Sequence, residues 1–145
     1  MIKKLIFTLS IFGLSVAAMA QTAPEPPKAE IKFETTEHDF GKIREGTMAM
    51  YEFRFTNTGK VALVLSDVHP SCGCTTPEWP KEPIAPGATN KVKAVFNSYS
   101  RPGNFEKYIT VKSNTSTPEI TLKIKGTVEP VPVEPQSPVR NQGVD

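Results

Sequence analysis

The chain has 145 residues, enough for one ordinary domain, and its seventeen basic residues nearly balance fifteen acidic ones. No run of Lys or Arg exceeds two residues. Nucleic acid and anionic membrane surfaces require a positive field that this sequence does not supply.

Residues 1–20, MIKKLIFTLSIFGLSVAAMA, open with Lys3 and Lys4, continue with an apolar run to about Ala18, and close on Ala18-Met19-Ala20. A basic start, a short apolar stretch and small residues at the cleavage positions predict a secretory signal peptide. The run is short for a membrane span, and no cysteine follows it to carry a lipid anchor. Cleavage near Gln21 leaves fifteen basic against fifteen acidic residues and a net charge of zero. The mature protein is therefore expected to be exported, periplasmic or extracellular, with no membrane insertion after cleavage. Residues 21–30 hold three prolines and read as a tether. Residues 130–145, PVPVEPQSPVRNQGVD, hold four and read as a disordered tail with polyproline character. The folded domain is expected over residues 31–129.

That middle alternates with the period of a strand. Ile31 and Phe33 alternate with Lys32 and Glu34. Ala49, Tyr51, Phe53 and Phe55 alternate with Met50, Glu52 and Arg54. Val92, Ala94 and Phe96 alternate with Lys91 and Lys93, and Val95 breaks the pattern. Phe105, Ile109 and Val111 share one parity, as do Ile120, Leu122 and Ile124. Successive strand side chains point to opposite faces, so such runs bury one face and wet the other. Val61–Leu65 is apolar throughout, as expected of a central strand or one with a face under a loop. Turns are expected at Asn57-Thr58-Gly59-Lys60 as a hairpin, at Pro86-Gly87, at Arg101-Pro102-Gly103-Asn104 and over Ser113–Pro118. No helical period and no repeat occurs in the mature chain. The expected fold is all-β: an antiparallel β-sandwich of about seven strands.

His38-Asp39-Phe40-Gly41-Lys42-Ile43-Arg44-Glu45-Gly46, then Phe53, Phe55, Asn57, Thr58 and Gly59, then Ser71-Cys72-Gly73-Cys74-Thr75, then Ile84, Pro86, Gly87, Gly103 and Gly126 form one series. It resembles a secreted bacterial family catalogued as a domain of unknown function, family 1573, over about residues 32–128. The resemblance implies an immunoglobulin-like sandwich, similar to major-sperm-protein and Hydin-type modules. It implies no activity.

Both cysteines lie in HPSCGCTTPEW, residues 69–79. Three chemistries compete there. The first is a local disulfide, Cys72 to Cys74, as an oxidising compartment favours. By loop entropy a ring of about three residues stabilises by ~1.6 kcal/mol, too little for a global staple, so its use would be local rigidity. The second is thiol–disulfide exchange, with His69 lowering a thiol pKa. The third is a copper or zinc site from His69, Cys72 and Cys74, completed by His38. Trp79 is either a partner anchor or a cap on the core. Glu78 and Glu82 flank it and are expected to be solvated. Asn114-Thr115-Ser116 is read as a turn. No catalytic constellation is visible and no cofactor is expected outside the copper or zinc alternative. The expected function is a non-enzymatic binding or scaffolding module of the cell envelope. Its partner would be an envelope protein or polymer and not nucleic acid, contacted through a loop holding His69, Cys72, Cys74 and Trp79.

Overall fold

The computed structural model describes residues 26–132. The segments read as signal peptide and as the start of the tether, and the residues beyond Pro132, lie outside the described residues. Eight strands form: β1 (Ile31–Phe33), β2 (Glu37–Arg44), β3 (Met48–Asn57), β4 (Leu65–Pro70), β5 (Thr75–Glu78), β6 (Thr89–Asn97), β7 (Gly103–Ser113) and β8 (Glu119–Glu129). They make two four-stranded sheets, ordered β1-β3-β6-β5 and β2-β8-β7-β4. Among the described residues no helix is long and apolar enough to cross a membrane.

The inward parity predicted for the long strands fills the space between the sheets. Phe53, Phe55, Val92, Ala94 and Phe96 from one sheet meet Ile109, Val111, Leu122, Ile124 and Val128 from the other, all essentially inaccessible. Phe105 stacks on Phe96 with ring centroids 4.1 Å apart. Burial of such side chains contributes roughly 1.5–3 kcal/mol each before entropy is subtracted.

The eight strands agree with the expected seven or so, and one expectation about architecture changes: the β2–β8 pair is parallel rather than antiparallel. A period of two encodes which face is buried and carries no information on direction. β2 itself escapes the alternation because its register shifts between Asp39 and Lys42. Gly41 has φ +62° there, and its N–H donates to Asp39 Oδ1 at 2.8 Å. The extra residue of this bulge moves the partly buried parity from His38 and Phe40 to Ile43.

The stretch Val61–Leu65 is not a central strand. Leu63 and Leu65 are buried while Ala62 and Val64 are exposed, and the chain here passes from the first sheet to the second. The Asn57–Lys60 turn starts this crossing and closes no hairpin. A hypothetical Cβ on Gly59 would lie 2.4 Å from the Glu30 nitrogen, so only glycine fits. Ala29 is fully buried and bridges Thr115, which carries the folded unit into the segment read as tether. The Pro86-Gly87 turn forms as predicted: Ala88 N–H donates to the Ala85 carbonyl at 3.0 Å, and Gly87 takes φ +79°. The Ser113–Pro118 turn also joins the last two strands, with Ser113 N–H donating to the Pro118 carbonyl at 2.9 Å.

Candidate functional site

Cys72 and Cys74 are joined by a disulfide, with Cα atoms 5.3 Å apart. The ring sits where β4 hands the chain to β5, so it turns a corner between sheets. On the β4 side, Ser71 N–H donates to the Tyr108 carbonyl at 2.8 Å, and Tyr108 N–H donates to Ser71 Oγ at 3.1 Å. On the β5 side, Asn97 N–H donates to the Cys74 carbonyl at 2.9 Å. Cys74 is buried and Cys72 is half-buried, and Thr75 Oγ1 lies 4.0 Å from Cys72 Sγ and 3.9 Å from Cys74 Sγ.

The other residues singled out in the sequence do not gather at this corner. His69 lies on β4, where its Nδ1 meets Asp67 Oδ2 at 2.8 Å. His38 lies on β2, at the opposite edge of the same sheet, three strand spacings or roughly 14 Å across from β4 and three residues further along the register. Its ring stacks on Tyr51 at 3.6 Å and meets the Phe40 edge at 4.6 Å. Burial holds its pKa below the ordinary 6.5, against the opposing pull of the Asp39 carboxylate. The topology thus parts His38 from His69, and the sulfurs are spent on each other. Among the described residues no three His, Cys, Asp or Glu side chains gather as metal ligands.

Trp79 follows β5 at its far end, separated from Cys74 by all four strand residues. It packs against the rim of the core, and the Lys81 ammonium lies over its ring, 2.9 Å from the centroid. Glu78 pairs with Lys93 at 2.6 Å. A depression of about 510 Å³ opens over the β2 bulge, and Asp39, Lys42, Phe105, Glu106, Lys125 and Thr127 are among its lining residues.

The feature that sequence reasoning missed lies on the outer face of the first sheet. Its half nearer Trp79 is charged: Lys91 pairs with Glu52 at 2.5 Å, and Arg54 and Lys93 flank them. The half nearer the disulfide is apolar. Met48 and Met50 are each 56% exposed, and Tyr99 is 68% exposed. Val95 is the cross-strand partner of Met50, and Thr76 faces Val95 from β5. Met48 lies opposite Asn97, whose Oδ1 accepts the Tyr99 N–H at 2.9 Å. A signal was present in the sequence. Met50 stood on the polar side of its strand and Val95 broke the pattern in its own. Those two exceptions are neighbours in space, and alternation read strand by strand cannot show that. These apolar side chains stand beside polar Thr76 and Asn97 at one end of an otherwise charged sheet face.

The two packed four-stranded sheets define an all-β sandwich of the immunoglobulin-like kind. The fold is similar to PapD-like domain 7 of human CEP192, with a TM-score of 0.59 and 12% identity, over 83% of this chain and 99% of that one. It is also similar to a Porphyromonas gingivalis W83 protein of unknown function, with a TM-score of 0.58 and 19% identity over 74% of this chain. This chain spans about half, 50%, of that protein's length. A further similarity is to the secreted serine protease VesC of Vibrio cholerae, with a TM-score of 0.53 and 15% identity over 68% of this chain and 23% of that one. No curated protein matches. Residues 31–128 match the family described as "Protein of unknown function (DUF1573)", and the chain belongs to that family.

Proposed function

We propose that this protein is an exported, non-enzymatic module of the cell envelope that binds another polypeptide through the apolar strip of Met48, Met50, Val95 and Tyr99. The observation that carries the reading is that Met50 and Val95, the two apolar exceptions on polar strand faces, are cross-strand partners, Met50 exposed and Val95 half-buried beside it. The leader-like residues 1–20 support export, and the sandwich class supports binding through faces and edges. Methionine adapts its shape to varied apolar partners. The disulfide corner borders the strip through the Asn97–Cys74 hydrogen bond and gives it a rigid rim. Trp79 and His69 stand outside this surface.

The test compares mature protein carrying Met50→Lys and Val95→Lys with wild type and with Trp79→Ala, each crosslinked in envelope extract and compared by mass spectrometry. A species captured by wild type and by Trp79→Ala, and lost from the double lysine variant, supports the reading. Identical capture by all three overturns it.

A second use of the corner, thiol–disulfide exchange, has one observation in its favour: Cys72 is the more accessible sulfur and Cys74 the buried one. An incoming thiolate would attack Cys72 Sγ and form a mixed disulfide, and the Cys74 thiolate would leave towards Thr75 Oγ1. A second thiol of the substrate would resolve the mixed disulfide. The substrate dithiol is then oxidised, and Cys72 and Cys74 are reduced. Incubation with a reduced dithiol peptide, followed by alkylation and intact mass, should give a doubly alkylated chain and oxidised peptide in equal amounts. An unalkylated chain eliminates this use.

A further inference from the structure

The sulfur chemistry of the chain is concentrated in two places. Its sulfur-bearing residues are two cysteines and four methionines. Cys72 and Cys74 are joined to each other, which leaves no free thiol. Met1 and Met19 fall within residues 1–20, which cleavage of the proposed leader removes. Met48 and Met50 are then the only thioethers of the mature chain, and each is 56% exposed.

Two residues apart on β3, the two methionines share the outer face of the first sheet and lie about 7 Å from each other along the strand. Ala49 between them is the residue that enters the core. Their cross-strand partners are Asn97 and Val95, and Thr76 faces Val95 from β5. The Lys91–Glu52 pair lies further along the same strands. Met48 and Met50 thus supply much of the exposed apolar surface of the strip and no part of the buried core.

We propose that Met48 and Met50 are a reversible oxidation site, which converts the strip from an apolar to a polar surface. The oxidant is hydrogen peroxide. A lone pair of the thioether sulfur attacks a peroxide oxygen, the O–O bond breaks, an S=O bond forms and water leaves. The sulfur gives up two electrons, and the peroxide is reduced. In the reverse step two thiols of a methionine sulfoxide reductase supply two electrons and close to a disulfide, and the oxygen leaves as water. A sulfoxide is polar and accepts hydrogen bonds, so a partner that covers it without offering a donor buries an unsatisfied oxygen. Two such groups about 7 Å apart act on the same contact surface. The closed disulfide presents no thiol to compete for the peroxide, and the core is untouched because neither methionine packs in it. The inference rests on the strip being a polypeptide-binding surface, and it adds the chemistry that regulates that surface.

The test treats mature protein with dilute hydrogen peroxide, beside a Met48→Leu, Met50→Leu variant. Leucine keeps the surface apolar and takes up no oxygen. Wild type should gain two oxygens, about 32 Da, at a rate within about tenfold of free methionine, with its urea midpoint unchanged. Retention on a phenyl resin should fall, and crosslinked capture from envelope extract should fall at least fivefold. The pair of epimer-specific methionine sulfoxide reductases should restore both. The leucine variant should keep its retention and capture through the same treatment. Methionines that oxidise more slowly than that limit overturn the inference. Doubly oxidised protein with the retention and capture of untreated protein overturns it as well, and so does a loss that the leucine variant shares. The binding reading is judged separately. If oxidation lowers retention reversibly while no form of the protein captures a species, the oxidation site stands and the binding reading falls. If Met50→Lys with Val95→Lys loses a partner that doubly oxidised wild type retains, the binding surface stands and its oxidation switch falls.

Discussion

The chain changes sheets at residues 57–65 and again at residues 71–75, and the two corners are fastened by different forces. At the first, two asparagines and one bridge partner the Gly59 and Val64 N–H groups, the Val61 and Ala62 carbonyls and both backbone groups of Leu63. Asn57 is fully buried; its Nδ2 donates to the carbonyls of Val61 at 2.8 Å and Ile84 at 2.9 Å, and its Oδ1 accepts the Gly59 N–H at 3.0 Å. Asn114, the turn residue of the last hairpin, donates to the Ala62 carbonyl at 3.0 Å and accepts the Val64 N–H at 2.8 Å. Leu63 exchanges both backbone hydrogen bonds with Ile84. At the second corner the chain turns through exposed Ser71 and Gly73, and the disulfide adds a covalent ring to the hydrogen bonds of Ser71 and Cys74. The difference follows from solvent. A hydrogen bond inside the sandwich is costly to break, because the groups it frees cannot reach water. At a surface corner water replaces each lost bond, so a covalent ring is the more reliable restraint.

The contrast predicts unequal damage. Asn57→Ala takes the partner from the part-buried Val61 carbonyl and Gly59 N–H and leaves the Ile84 carbonyl with the Leu63 N–H alone, at about 1–3 kcal/mol for each group left unpaired where water cannot enter. A loss of about 3–4 kcal/mol in urea unfolding is expected, which is a large part of a domain's total. Gly59→Ala drives a methyl into the Glu30 and Ala29 backbone and belongs in the same class. A shift in unfolding midpoint below that of the cysteine variant would show the first corner to be the weaker one.

Cys72→Ser with Cys74→Ser is expected to cost only about 1–2 kcal/mol, as a very small loop closes. The fold should persist. Amide exchange should quicken at residues 71–75 and leave residues 57–64 unchanged, which separates local stiffening from global support.

The effect of pH is smaller and lies elsewhere. Burial holds His38 below the ordinary 6.5, so the unfolded chain takes up the proton more readily than the folded one. The stability owed to neutral His38 is therefore complete above pH 6.5 and is lost as pH falls below it towards the folded value. Urea midpoints measured from pH 7.5 down to pH 5 should decline, and His38→Phe should flatten that decline. Smallest of all, Lys91→Ala breaks an exposed pair with Glu52 and should change stability by less than about 1 kcal/mol.

Which strands bury which residues was legible in the sequence, because the period of two is a local property of the backbone. It placed Phe53, Phe55, Val92, Phe96, Ile109 and Leu122 in the core. The Cys-Gly-Cys spacing likewise kept a local disulfide in view. β2 was hidden by the Gly41 bulge, which reverses parity within the strand. β5 was hidden by its composition, since Thr75-Thr76-Pro77-Glu78 has no apolar alternation. Val61–Leu65 misled because an all-apolar run looks the same in a central strand and in a crossing.

The residues themselves determined an all-β domain with a sulfur-bearing turn, since alternation and spacing act between near neighbours. Tertiary structure decided what lies beside what: that His38 and His69 stand at opposite edges, that Trp79 belongs to the core rim, and that Met50 meets Val95 on an open face. Cross-strand pairing joins residues forty-five positions apart in that last case, and no local rule reaches so far.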